Sequence, residues 1–360
     1  MDRLPPDTFR LPVDKLRSGY YSDAYFTSTK RLLESEGRHP EVVLQVFQKH
    51  DAVLGGIDEA LAILRHCSGR EGTAGWESGW ETLRVHALFE GDEIAPREPV
   101  LQIAGDYGLF CHLETVLLGP MARRTLVMRN VREVVEAARG KPILYFPARH
   151  DHWLVQTGDG WAAHVAGAIG VSTDAQASWW GGRGIGTVPH GLIAAYGGDT
   201  VAAARAFADH FAADTNVTVL VDWENDSVGT ALAVAHALGD DLWGVRLDTS
   251  EALVDRALDG LEAADGERMT GVTARLVRTV RDALDAASHE RVRIVASGGF
   301  DAERIRAFEA AGVPVDAYGV GSSLIRGQND FTADVVRVDG RPCAKVGRGE
   351  RPADRLARVN

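Results

Sequence analysis

Two late stretches place glycines where a strand should end. Ile294-Val295-Ala296-Ser297-Gly298-Gly299-Phe300-Asp301 reads as a strand running into a glycine pair and a helix start, and Val315-Asp316-Ala317-Tyr318-Gly319-Val320-Gly321-Ser322-Ser323 repeats the arrangement. Glycine lets backbone approach an anion closely, and free N–H groups at a helix start favour negative charge. Paired loops of this kind point to a phosphate, although glycines that merely make tight turns would look the same. Leu242-Trp243-Gly244-Val245-Arg246-Leu247-Asp248 ends a further strand with a cation and an anion two positions apart. Strand alternation puts Arg246 and Asp248 on one face. Buried charges there are costly unless they serve a ligand or pair with each other. Asp222 closes Val219-Leu220-Val221-Asp222 with the same logic, as a carboxylate for a ribose hydroxyl, a metal or developing positive charge.

Two more segments carry chemistry. Gly184-Ile185-Gly186-Thr187-Val188-Pro189-His190-Gly191 sets a histidine in a glycine-rich loop, where the bland reading is an ordinary surface or hydrogen-bonded residue. Phe146-Pro147-Ala148-Arg149-His150-Asp151-His152 offers an aromatic face beside a guanidinium, which suits a flat anionic ring. His150, Asp151 and His152 are a poor metal signature without further partners, and no metal-ligating residues are assigned.

Those residues must be positioned by elements. From residue 140 onward, short apolar runs recur at 143–146, 217–222, 242–248, 292–297 and 315–321, most of them separated by helical stretches such as 200–213 and 302–311. The second of these stretches has Asp301 as its N-cap and Gly312 as its stop. Strands alternating with helices imply parallel βα units, enough of them for a barrel, with chemistry at the C-terminal strand ends. Before residue 140 the pattern predicts a strand at 42–47, a helix carrying Ile57, Leu61 and Leu64, and a small sheet over 82–103. A helical stretch over 112–139 follows, which Gly119-Pro120 must break or kink. The expected fold is α/β: an N-terminal α/β sandwich domain (1–140, joined by 330–360) packed on an irregular or incomplete TIM-like barrel (141–329).

Composition narrows the function classes. The 360 residues are 45% hydrophobic and 25% charged, as in ordinary globular proteins. A net charge of −12 leaves no basic surplus for a nucleic-acid backbone. Cys67, Cys111 and Cys343 lie far apart, which excludes a disulfide framework and fits a reducing compartment. With no apolar run of about 18 residues and no leader-like start, the expectation is a cytoplasmic protein with no membrane partner.

The motifs together resemble a family. Ser-Asp-Ala-Tyr at 22–25, Phe-x-x-Arg at 146–149, Gly-Thr-Val-Pro-His at 186–190, Arg-Leu-Asp-Thr-Ser at 246–250, Ser-Gly-Gly-Phe-Asp at 297–301 and Tyr-Gly-Val-Gly-Ser at 318–322 are similar, in order, to those of the nicotinate phosphoribosyltransferases, especially their compact archaeal and bacterial form. The resemblance implies a homodimer, or a higher homo-oligomer, with shared active sites. It implies an ATP-coupled reaction of nicotinate with phosphoribosyl pyrophosphate, assisted by Mg2+. By resemblance Tyr25 of the partner subunit and Phe146 would sandwich the pyridine ring, and Arg149 would meet its carboxylate or the phosphoribosyl group. Thr173 and Asp174 would lie in a loop near the base. Arg246 and Asp248 would hold ribose and pyrophosphate, with Asp222 beside them. Gly298, Gly299, Gly319 and Gly321 would cradle the 5′-phosphate, Lys345 would return to the site region, and His190 would accept a phosphoryl group from ATP. The familiar Phe-Gly-x-Arg-Arg appears here as Phe-Pro-Ala-Arg-His, and Arg-Leu-Asp-Ser-Gly-Asp as Arg-Leu-Asp-Thr-Ser-Glu. Quinolinate phosphoribosyltransferase is the alternative within the same chemistry, with nicotinamide a further possible substrate. A catalytically silent relative that binds a phosphoribosyl ligand is the alternative outside it.

Overall fold

Val42, Leu44 and Val46 alternate along a strand and are all buried, which fixes one face of a sheet against a core. The computed structural model of the chain describes residues 2–360. They divide into two compact units, one running through Arg129 and resuming at Gly327–Asn360, the other Asn130–Arg326. In the first unit a 6-stranded antiparallel sheet runs in the order Arg341–Pro342, Thr332–Val338, Glu41–Phe47, Pro99–Asp106, Arg84–Ala87, Ala357–Arg358. Helix Ile57–Cys67 buries Ile57, Leu61 and Leu64 in the same cluster as the strand residues, as its i, i+4, i+7 spacing requires. Of the break or kink expected at Gly119-Pro120, the break does not occur. One helix spans Glu114–Ala137 with Pro120 inside. Proline in the second turn removes a single N–H donor, and the many remaining bonds carry the helix past it.

The second unit is built on parallel strands, β1 Ile143–Tyr145, β2 Gly170–Val171, β3 Val217–Leu220, β4 Leu242–Leu247, β5 Arg293–Ala296 and β6 Ala317–Val320. Hydrogen bonding orders them β3-β4-β5-β6-β1-β2. One irregular segment touches both edges of this sheet. The Ile185 N–H donates to the Val171 carbonyl at 2.8 Å, and the Val188 N–H donates to the Thr218 carbonyl at 2.8 Å. Residues 185–188 thereby act as a seventh stave between β2 and β3, and the ring follows chain order all the way round. The fold is the expected irregular α/β barrel. β2 is not among the apolar runs read from sequence as strands and the seventh stave falls in a stretch read as a glycine-rich loop, because such short pieces beside glycine carry no measurable period. Leu144, Val295 and Ala317 form a buried cluster inside the ring, with Phe146 and Trp243 packed against it. Among the described residues no helix is long and apolar enough to cross a membrane.

Candidate active site

The strand ends of the second unit open into a cavity of about 530 Å³. Phe146 and Arg149 after β1, His190 after the seventh stave, Arg246 and Asp248 from β4, Gly298 and Gly299 after β5, and Gly319 and Gly321 at β6 all line it. Residues scattered through the sequence thus converge where a parallel barrel is expected to place chemistry.

Arg246 and Asp248 do lie on one face, but their contact is loose, 3.4 Å from Nη2 to Oδ2. Ser297 stands between them. Its Oγ accepts from Arg246 Nε at 2.7 Å and lies 2.9 Å from Asp248 Oδ1. The Arg246 guanidinium also sits 5.3 Å from the centre of the Phe146 ring. Gly319 leaves room for that ring, since a Cβ there would come within 2.9 Å of it.

Gly298 and Gly299 adopt φ of +84° and +69°, a backbone region that side chains disfavour. Arg304 pins this turn by donating from Nη1 to the Gly298 carbonyl at 2.7 Å. Helix Ala302–Ala310 follows directly, and the Asp301 carboxylate caps it by accepting from the Arg304 N–H at 2.9 Å. Beside Gly321 the nearest side chain is His150, 3.1 Å from where a Cβ would stand.

His190 opens a short helix, His190–Ala195, and its Nε2 lies 2.8 Å from Asp222 Oδ1. The hydrogen bond to Asp222 is the main cause that raises the His190 pKa above its usual value, opposed by partial burial. Asp222 does not line the cavity itself, and acts on it through this imidazole. The Trp223 ring lies 6.2 Å from that of His190.

Thr173 and Asp174 are not among the cavity-lining residues. Thr173 is the N-cap of helix Asp174–Ala177 in a capping box with Gln176, and its hydroxyl donates to Gln156. Asp174 opens that helix, and its carboxylate accepts from the Gly184 N–H at 2.8 Å, tethering the loop that leads to His190. Tyr25 and Lys345 belong to the first unit. Tyr25 is 63% exposed on helix Ala24–Ser35, and Lys345 is exposed after Arg341–Pro342. Ser297, Thr187 and His150 are cavity residues that the sequence motifs contain without marking as functional. Their only signal was position beside Gly298, His190 and Arg149.

Among the described residues no three His, Cys, Asp or Glu side chains gather to hold a metal. Asp248 is the carboxylate that reaches the cavity, and Mg2+ carried chiefly by substrate phosphates needs no more than one or two such ligands.

Comparison with known proteins agrees with this geometry. A family model described as the N-terminal domain of quinolinate phosphoribosyl transferase matches residues 23–125. Two Mycobacterium tuberculosis nicotinate phosphoribosyltransferases, pncB1 and pncB2, are 33% and 31% identical over 72% and 74% of this chain. The chain spans about half the length of these curated relatives, 55% and 54%. A crystal structure of nicotinate-nucleotide pyrophosphorylase from Pyrococcus furiosus superposes with a TM-score of 0.77 at 30% identity, covering 95% of this chain and 82% of that one. Human nicotinic acid phosphoribosyltransferase shares the fold, with a TM-score of 0.66 at 19% identity over 92% of this chain and 77% of that one.

Proposed function

Because the chain belongs to the nicotinate phosphoribosyltransferase family, we propose that it joins the ring nitrogen of nicotinate to the anomeric carbon of phosphoribosyl pyrophosphate, releasing pyrophosphate, in NAD salvage. The observation that supports this best is the His190–Asp222 pair, whose histidine opens on the same cavity as Arg246, Asp248 and the glycines 298, 299, 319 and 321. In this reading Phe146 stacks on the pyridine ring and Arg149 meets its carboxylate. The turn at Gly298-Gly299 and the end of β6 at Gly319–Gly321 receive the 5′-phosphate. Arg246 holds pyrophosphate oxygens and Asp248 a ribose hydroxyl. The transition state resembles an oxocarbenium ion, so fixing both reactants and keeping the Asp248 carboxylate nearby does most of the work. Mg2+, when bound, neutralises the leaving pyrophosphate. In a homodimer Tyr25 of the partner subunit would cover the open face of the pyridine ring.

ATP coupling would run through His190. With Nε2–H donated to Asp222, the lone pair resides on Nδ1. Nδ1 would attack the γ-phosphorus of ATP as the bond to ADP breaks, while Asp222 stabilises the ring's developing positive charge. Hydrolysis of this phosphohistidine would then bias the reaction toward mononucleotide.

A second reading is decarboxylating transfer to quinolinate. The matched N-terminal family model favours it. The test is to supply phosphoribosyl pyrophosphate and Mg2+ with nicotinate or quinolinate, with and without ATP, while following carbon dioxide and acid-labile phosphate on the protein. We expect ATP to accelerate the nicotinate reaction and label His190, and His190→Ala to lose that acceleration. ATP-independent carbon dioxide release from quinolinate would establish the second reading.

A further inference from the structure

Ser297 is buried, with 2% of its surface exposed, at the end of β5, and it meets both charged residues of the cavity. Its backbone N–H donates to the Leu247 carbonyl at 2.9 Å. The Ser297 hydroxyl also lies 2.9 Å from that carbonyl and 2.9 Å from Asp248 Oδ1. With the carbonyl already supplied by the N–H, the single hydroxyl proton is best spent on the carboxylate, where the bond is charge-assisted. The oxygen's lone pair then accepts from Arg246 Nε at 2.7 Å. A guanidinium and a carboxylate two residues apart on one strand face would otherwise close into a bidentate pair, with N···O distances of about 2.8 Å. Here their contact is 3.4 Å, and Arg246 Nη1 is 3.5 Å from Thr187 Oγ1.

We propose that Ser297 is a positioning residue, a polar wedge that keeps Arg246 and Asp248 from neutralising each other so that both present free hydrogen-bonding atoms to a phosphoribosyl ligand. The ligand's identity rests on the function proposed above, whereas the wedge itself does not. Ser297 satisfies Nε and Oδ1, and leaves Nη1, Nη2 and Oδ2 with only long contacts. Removing its hydroxyl deletes a donor and an acceptor at once, and closure of the ion pair is the cheapest way to satisfy what remains.

Two measurements test this. The first is the crystal structure of Ser297→Ala, with Ser297→Cys as a volume-matched second variant should the alanine protein fold poorly. The expected result is contraction of Arg246–Asp248 to bidentate contact without any ligand, and an unchanged spacing would overturn the proposal. The second is calorimetric binding of phosphoribosyl pyrophosphate to wild type, Ser297→Ala, Arg246→Ala and the double variant. Ser297→Ala should weaken binding about tenfold when Arg246 is present and less than about twofold when it is absent, the signature of coupled residues. Equal losses in both backgrounds would mark Ser297 as merely structural. A wild-type protein that binds no phosphoribosyl pyrophosphate would count against the function, and the ligand-free structure would still decide the wedge.

Discussion

At the scale of the residue, Asp222 decides what His190 can do. The shared hydrogen bond raises the histidine pKa, so the protonated, non-nucleophilic ring persists to higher pH than a free imidazole would. Phosphorylation of His190 by ATP should therefore rise with pH through that raised pKa. Asp222→Asn should move the rising limb toward lower pH, seen both in the rate profile and in an NMR titration of the ring. An unmoved limb would mean that Asp222 does not control the proton. The linkage has the matching sign for folding. Stability from the pair is fully present below the ordinary histidine pKa and is lost as pH rises through the raised one. Arg246 and Asp248 were legible in the sequence because strand alternation fixes which face a residue takes. Ser297 was not, because a serine is chemically unremarkable until a residue 51 positions away comes within 2.7 Å of it.

At the scale of the element, the loop carrying His190 is held from behind. Gly184 packs so tightly on the Thr173 backbone that a Cβ would lie 2.7 Å from it, and its N–H is taken by Asp174. Gly184→Ala should therefore cost about 2 kcal/mol of stability, an overpacking penalty, and should lower ATP-stimulated turnover through displacement of His190. Thermal unfolding and a parallel rate measurement check this, and a variant matching wild type in both would show the loop to be independent of that anchor. Thr173 and Asp174 in this structure cap a helix and tether a loop, work that motif matching had no means of separating from contact with the base. The helix cap at Asp301 was readable, since an N-cap needs only a local residue type and a helical start. The seventh stave was not, since its two backbone bonds reach strands before and after it in the chain and leave no local pattern.

At the scale of the whole molecule, alternation of strands and helices was enough to predict a barrel, because parallel pairing demands crossovers that the sequence displays as amphipathic helices. How the ring closes depended on contacts between segments far apart in the chain. That closure explains why the cavity is a single site: Phe146 directly follows β1 and Gly319 lies in the neighbouring β6, although the chain between them runs through the entire ring. In the function proposed above, one active site at the strand ends of this unit works on phosphoribosyl pyrophosphate and a pyridine carboxylate. The most direct test is to incubate the purified protein with nicotinate, phosphoribosyl pyrophosphate, Mg2+ and ATP and identify the products by mass spectrometry. The expected result is nicotinate mononucleotide and pyrophosphate in equal amounts. Tight binding of phosphoribosyl pyrophosphate with no mononucleotide from nicotinate, quinolinate or nicotinamide would contradict it, and would make the chain a silent binder of that ligand.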